Sequence, residues 1–163
     1  MVGRSIAVAD VYMILAGASY LPFAGPIARE KLVKAARGQP ANYVRNHGHE
    51  LTRTLAPERQ FEVPLESARI MRQIDLLLQE KDGGDKDIEL LDFKTAVNRP
   101  PSDHHENQLR LYAQAARMLG LNPVRLVIHD LDADDGGRVV IDNNNEATKR
   151  FTSELRDWVG RIV

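Results

Sequence analysis

The chain has 163 residues and a formal net charge of −1; 43% of the residues are hydrophobic and 28% are charged. This balance fits one domain with a hydrophobic core, and it argues against a disordered chain or a membrane protein. The near-neutral charge argues against nucleic-acid binding by bulk charge alone, and the absence of cysteine excludes disulfides, thiol catalysis and zinc–thiolate sites.

The first third of the chain is predicted to be helical. Residues 5–21 are mainly apolar but contain Asp10, so a packed helix is favoured over a signal peptide or a membrane span. Helical spacing continues over residues 27–37 and 41–55, and Pro57 closes this region. A cytoplasmic protein without a membrane segment is therefore expected.

The pattern then changes to strands. Phe61, Val63 and Leu65 alternate with polar residues, which predicts a half-buried strand. Further strands are predicted over 70–79, 88–95, 124–131 and 138–141, with helices over 106–119 and 146–163. This order predicts the α/β fold class, with a central mixed β-sheet of about five strands and helices on both faces.

A single domain is expected over residues 1–163. It consists of a helical N-terminal part over 1–57, a sheet core over 58–142 with a helix over 104–120, and a closing helix over 146–163. The stripe of Phe151, Leu155, Trp158 and Ile162 predicts that the closing helix packs on the core.

Two carboxylates and a lysine stand out on neighbouring strands. Asp92 and Lys94 are two apart and share a face, while Phe93 points to the opposite layer. Asp75 lies on the preceding strand, which an antiparallel hairpin can bring alongside. Paired carboxylates repel unless a cation joins them, and an oxygen-rich site suits Mg²⁺ or Mn²⁺, with the Phe93 carbonyl as a further ligand. Lys94 would orient a water molecule or stabilise negative charge on a phosphate.

Gln108 and Tyr112 are four residues apart on the helix that follows, so they share one helix face. A helix packed over the sheet could point both side chains at the carboxylates. The alternative is a surface glutamine and a tyrosine at the edge of the core, and the sequence leaves both interpretations open.

The strings IDLL, LLDFKT and QLRLYAQAARMLG, in this order, resemble the RecB-like branch of the PD-(D/E)XK nuclease superfamily over residues 58–131. The resemblance implies a restriction-endonuclease-like core with Asp75 and Asp92 as metal ligands and Lys94 as catalytic lysine. It also implies that Gln108 and Tyr112 line the DNA side of the site.

At the level of the whole protein, the resemblance implies a Mg²⁺- or Mn²⁺-dependent deoxyribonuclease in DNA repair or recombination, with DNA as substrate. It further implies a helicase as partner, because the chain is similar to the C-terminal nuclease domain of UvrD-like helicases. A domain excised from a longer helicase chain is accordingly expected.

Two positions depart from the family pattern. Ala7 stands where the family carries a histidine on an early helix, and Arg72 stands where it carries a glycine. His47 and His49 are the nearest histidines, in a different setting. These departures open a second interpretation, a nuclease-like module that binds DNA or holds partner domains without catalysis. A third is a metal-dependent hydrolase of a small phosphoester.

Other motifs fail on spacing. His104-His105-Glu106 suggests a zinc protease, but the second histidine of that motif would fall on Leu109. The acidic run over 130–135 suggests a calcium loop, but the glycine that such a loop requires is Asp135. A hairpin turn on Gly136 and Gly137 is preferred. Dispersed arginines would form either a basic track towards DNA or solvated surface. They are Arg45, Arg53, Arg59, Arg69, Arg72, Arg99 and Arg110.

Overall fold

The structure, a computed structural model, describes residues 7–9, 11–13, 25–65, 68–95, 103–133 and 137–160. Residues 8–9 and 11–13 are helical, and the rest of the helix predicted over 5–21 lies outside the described residues. The side chain of Trp158 also lies outside them. Within the described ranges, no helix has both the length and the apolar character needed to cross a bilayer.

One long helix, α1, covers Pro26–His47, where the sequence predicted two. It begins with a proline in its first turn, where the missing amide hydrogen has no helical partner to lose, and it continues through Gly38 and Pro40. A 3₁₀ turn at Gly48–Arg53 follows. The predicted helix over 41–55 is therefore wrong beyond residue 47, because pairing with a neighbouring strand draws the chain into the sheet from residue 54 onward.

In the part of the chain that the structure describes, five strands form one sheet in the order in which they occur along the sequence. They are β1 Thr54–Leu65, β2 Ala68–Gln79, β3 Asp87–Lys94, β4 Asn122–Asp130 and β5 Arg138–Ile141. Neighbours are antiparallel except β3 and β4, which are parallel and are joined through helix α2, Asp103–Met118. Helix α3, Asn145–Gly160, closes the chain. The predicted fold class is confirmed: a mixed sheet of five strands with flanking helices.

The two faces of the sheet bury different cores. On the first face, α2 packs through residues such as Leu109 and Ala113 against Leu90 and Ile128. On the second face, Leu91 belongs to a smaller cluster that the 3₁₀ turn and α1 cover. Each fully buried leucine contributes roughly 1.5–3 kcal/mol. Because side chains alternate along β3, Asp92 and Lys94 share the face of Leu90 and lie on the α2 side.

The β1–β2 hairpin is kinked at Asp75. Ile74 and Leu77 are three residues apart, yet both lie in the first-face core, where strict alternation would separate them. Glu58 stands opposite Asp75 in the register and has a φ of 49°, in the left-handed region. This conformation costs a non-glycine residue about 1–2 kcal/mol. Beyond this point, residues 68–75 of β2 have no ladder partner in β3.

Candidate active site

Asp75 and Asp92 lie where β2 and β3 separate. In the described sheet, the ladder between these strands ends with Leu76 opposite Leu91, and the same register continued by one residue sets Asp75 opposite Asp92. The Asp75 Oδ2 accepts a hydrogen bond of 2.7 Å from the Phe93 N–H. The carboxylate thus takes the place of a ladder partner at the point where the two strands separate.

Asp92 is a buried carboxylate paired with a lysine. Its Oδ2 lies 2.6 Å from the Lys94 Nζ, and the residue is 2% exposed. This contact is an ion pair between two residues on the same face of β3. Burial raises the pKa of Asp92 above its ordinary value, and the charge of Asp75 adds to the increase while Lys94 opposes it. The ionised form of Asp92 therefore depends on a cation beside it.

Gln108 and Tyr112 extend this arrangement from α2. The Lys94 Nζ donates to the Gln108 Oε1 at 3.5 Å, and the Gln108 Nε2 donates to the Tyr112 hydroxyl at 2.7 Å. Tyr112 is 1% exposed, and burial raises the pKa of its phenol, so the hydroxyl stays neutral. The structure brings both residues to the carboxylates. Tyr112 orients the Gln108 amide and is too buried to form part of an open surface.

His105 also lies close to this site, although the sequence motifs did not single it out for that role. It is half-buried in the first turn of α2, three residues before Gln108, and therefore on the same helix face. Its charge lowers the pKa of Asp92, which shows that the imidazole is within electrostatic range of that carboxylate. The helical spacing of His105, Gln108 and Tyr112 is the signal that could have found it.

The donor atoms fit a hard divalent cation. Among the described residues, no group of three or more His, Cys, Asp or Glu side chains converges. Asp75 and Asp92 lie within electrostatic range of each other. The Phe93 N–H points towards Asp75, while the Lys94 carbonyl accepts from the Leu131 N–H at 2.8 Å on the other side of β3. Alternation along β3 therefore turns the Phe93 carbonyl towards Asp75 as well. These oxygens suit Mg²⁺ or Mn²⁺, with water and a phosphate oxygen completing the coordination.

His47, one of the two histidines considered as substitutes at position 7, lies away from the carboxylates. Ala7 itself is exposed. His47 contacts the His129 ring at 5.0 Å between centroids, and His129 stands beside Phe93 on β4. Phe93 and Asp92 are neighbours on a strand and point to opposite faces. His47 therefore lies across the sheet from Asp92, and His49 is exposed.

A buried ionic cluster lies against β3 on the second face of the sheet, the face opposite Asp92 and Lys94. The sequence did not predict this cluster. Glu89 is 0% exposed and lies 3.7 Å from the Arg53 Nη2 and 3.8 Å from the Arg138 Nη2. Arg138 also donates to Glu50, with one contact of 2.9 Å. Burial raises the pKa of Glu89. The cluster joins the 3₁₀ turn and β5 to the strand that carries Asp92 and Lys94.

The described arginines of the suggested basic track have different surroundings. Arg53 belongs to the buried cluster, Arg69 pairs with Glu62 at 2.8 Å and Arg110 pairs with Glu106 at 2.9 Å. Arg59 and Arg72 are exposed on the hairpin, Arg45 bonds to Asn42, and Arg99 lies outside the described residues.

β4 and β5 pair as antiparallel neighbours, and the preferred turn on Gly136 and Gly137 is described only at Gly137. The Asp130 N–H donates to the Gly137 carbonyl at 2.9 Å, and Gly137 has a φ of 40°. Residues 134–136 of this turn lie outside the described ranges.

Comparison with known proteins gives one family match. The family model of the PD-(D/E)XK nuclease superfamily matches residues 14–162. The crystal structure of a candidate exonuclease from Eubacterium rectale is 11% identical, with a TM-score of 0.58 over 94% of this chain and 59% of that chain. The chain thus spans less than two thirds of that protein. The structure of SSO0001 is 15% identical, with a TM-score of 0.40 over 94% and 77% of the two chains. No curated protein matches the chain.

Proposed function

Because this chain belongs to the PD-(D/E)XK nuclease superfamily, we propose that it is a metal-dependent deoxyribonuclease that hydrolyses phosphodiester bonds. One observation carries the proposal: the Asp92 Oδ2, buried and 2.6 Å from the Lys94 Nζ, stands beside Asp75 where β2 and β3 separate. Membership of the superfamily supports nuclease chemistry, and the position of these three side chains supports this end of β3 as its site.

The side chains have separable tasks. Asp75, Asp92 and the Phe93 carbonyl would hold Mg²⁺ or Mn²⁺, which when bound polarises a phosphate and lowers the pKa of water. Lys94 would donate to a phosphate oxygen and stabilise the charge that builds up as water attacks phosphorus. Gln108 would hold the Lys94 ammonium in place, with its own amide fixed by Tyr112. A P–O bond forms from water, a P–O bond to the sugar breaks, and the leaving oxygen takes up a proton.

The finer assignment rests on the motif order. We place the chain in the RecB-like branch, with a role in DNA repair or recombination and a helicase as partner. A helicase that delivers the strand would explain why a nuclease with a net charge of −1 needs no strongly basic surface. The name of the Eubacterium rectale protein favours action at DNA ends, although that likeness in structure reaches only the fold.

Cleavage of labelled DNA tests the proposal. Single-stranded and duplex substrates are incubated with the wild type in Mg²⁺, in Mn²⁺ and in EDTA, together with Asp92→Ala and Lys94→Ala. Asp85→Ala, in the exposed β2–β3 turn, is the matched control. We expect metal-dependent cleavage by the wild type and the control, and a loss of about a hundredfold or more in the two site variants. Equal rates in all four proteins would overturn the proposal.

A second candidate is a nuclease-like module without catalysis. It is favoured by the convergence of only two carboxylates among the described residues and by alanine at position 7. This module would bind DNA or hold partner domains. Calorimetry separates the two candidates: DNA binding without any metal binding that depends on Asp75 and Asp92 selects the module, whereas metal binding that both carboxylates support selects the nuclease.

A further inference from the structure

A cleft outside the carboxylate site lies between α1 and the end of β4. Its volume is about 410 Å³, within the usual range for ligand sites. Its lining residues from α1 are Lys31, Lys34, Gly38, Gln39 and Asn42, and those after β4 are Leu131 and Asp132. Residues 31, 34, 38 and 42 follow at intervals of three and four, so they form one stripe of the helix.

The cleft begins at the edge of the sheet that carries Lys94. Asp130, the last residue of β4, stands beside Lys94 in the parallel ladder, and the Leu131 N–H donates to the Lys94 carbonyl at 2.8 Å. The Gln39 amide donates to Asp132, which ties α1 to the same chain end. The cleft and the proposed cleavage site therefore lie at the same end of the β3–β4 pair, with α1 on one face of the sheet and the Lys94 side chain on the other.

The lining carries donors suited to phosphate oxygens. Lys31 and Lys34 are exposed and stand three residues apart on α1, so they lie on the same side of the helix. Asn42 also lines the cleft, and its Oδ1 accepts from Arg45 at 2.6 Å, so its amide nitrogen is the group left to donate to a ligand. None of the described lining residues is aromatic, so the cleft offers no platform for stacking bases.

We propose that this cleft binds the sugar–phosphate backbone of the DNA strand that runs to or from the Asp92–Lys94 site, and that Lys31 and Lys34 each contact a phosphate. The inference rests on the proposed nuclease function, since it takes the strand to be DNA. Binding in this cleft would not depend on the base sequence of the DNA, because the contacts are with phosphates and not with base edges. This substrate track depends on Lys31, Lys34 and the Asn42 amide on one side of α1, and not on the net charge of the protein.

Fluorescence anisotropy tests the track in the full chain. The probe is a fluorescein-labelled oligothymidine of roughly 16 nucleotides, the upper end of common single-strand site sizes, in EDTA so that no strand is cut. Lys31→Gln/Lys34→Gln is compared with Lys81→Gln/Lys149→Gln, which removes two exposed lysines elsewhere. We expect the cleft variant to bind roughly 25-fold more weakly at about 0.1 M salt and to lose about 1.4 from the log–log salt slope. The control stays within about twofold.

A third variant narrows the cleft at unchanged charge. A Cβ added at Gly38 would meet nothing within 4 Å, so Gly38→Leu should fold and project into the cleft. We expect weaker binding of the same probe. Equal losses in the two lysine double variants, or wild-type affinity in all cleft variants, would overturn the inference. If the wild type cuts DNA while the cleft variants bind normally, only the track fails; if it binds through the cleft but never cuts, only the nuclease function fails.

Discussion

Lys94 serves as the counter-ion of a buried carboxylate, and Lys94→Met isolates that role. Removing one partner of a fully buried ion pair costs about 3–5 kcal/mol. The Asp92 side chain is 3% exposed but that of Lys94 is 23% exposed, so solvent screens part of the interaction. We expect the metal-free variant to lose about 2 kcal/mol of unfolding free energy, measured by urea denaturation in EDTA near neutral pH.

The pH dependence of this loss has a defined sign. Burial raises the pKa of Asp92, and the loss of Lys94 raises it further. A carboxyl whose pKa is higher in the folded than in the unfolded state adds stability at low pH that is lost as the pH rises through the folded pKa. The deficit of Lys94→Met should therefore shrink as the pH falls towards the ordinary pKa of aspartate, about 4.

The affinity for Mn²⁺ should change in the opposite direction to the stability of the metal-free protein. Without the ammonium group, repulsion of a divalent cation falls by about 1–2 kcal/mol, so Lys94→Met should bind Mn²⁺ about tenfold more tightly while cleavage is lost. Lys149→Met, at an exposed position of α3, is the matched control. A stability loss below about 0.5 kcal/mol, which is the size of an ordinary surface substitution, would refute the reasoning. So would a deficit that does not change with pH, or weaker Mn²⁺ binding in the variant.

Three further predictions concern stability. Burial lowers the pKa of His129 to about 4, so as the pH falls the unfolded state binds a proton before the folded state does. The wild type should therefore lose up to about 3 kcal/mol of unfolding free energy between about pH 6.5 and pH 4. In urea denaturation, His129→Phe should reduce this dependence of stability on pH, and an unchanged dependence would contradict the assignment. Arg138→Leu removes a cation from the buried carboxylates Glu50 and Glu89. It should lower the free energy of unfolding by about 3 kcal/mol, measured by chemical denaturation. A loss as small as that of a surface substitution would mean that the cluster is solvated. Gly38→Ala should raise the unfolding free energy by about 0.5–1 kcal/mol, measured by thermal melting, because alanine favours the helix and its Cβ meets nothing within 4 Å; a lower melting temperature would show that the space is filled.

The strands and α2 were predictable because their signals are local. Alternation at Phe61 and Val63 located β1, and the predicted end of α2 near Gly120 agrees with its φ of 77°. The N-terminal part was less predictable. Gly38 and Pro40 normally mark helix ends, yet α1 passes through both while Ala41 and Tyr43 are buried. Tertiary packing of this kind overrides local propensity.

The residues in and around the candidate site were also predictable only in part. Asp92 and Lys94 follow from strand periodicity, which depends only on neighbours along the chain. Glu89 lies in the apolar run IELLDF, and its partners Arg53 and Arg138 are far from it in sequence, so no local pattern predicts the buried cluster. The kink that gives Asp75 its place depends on the left-handed backbone of Glu58, a conformation that glutamate adopts only where its surroundings impose it.

The central claim is that Asp75 and Asp92 together hold a divalent cation. Electron paramagnetic resonance of free Mn²⁺ during a titration counts bound ions directly, for the wild type and for Asp75→Asn and Asp92→Asn. These near-isosteric changes remove a ligand charge while keeping the side-chain volume. We predict one Mn²⁺ site in the wild type that weakens by at least about tenfold in each variant. Equal Mn²⁺ binding by all three proteins, or none by the wild type, would contradict the claim.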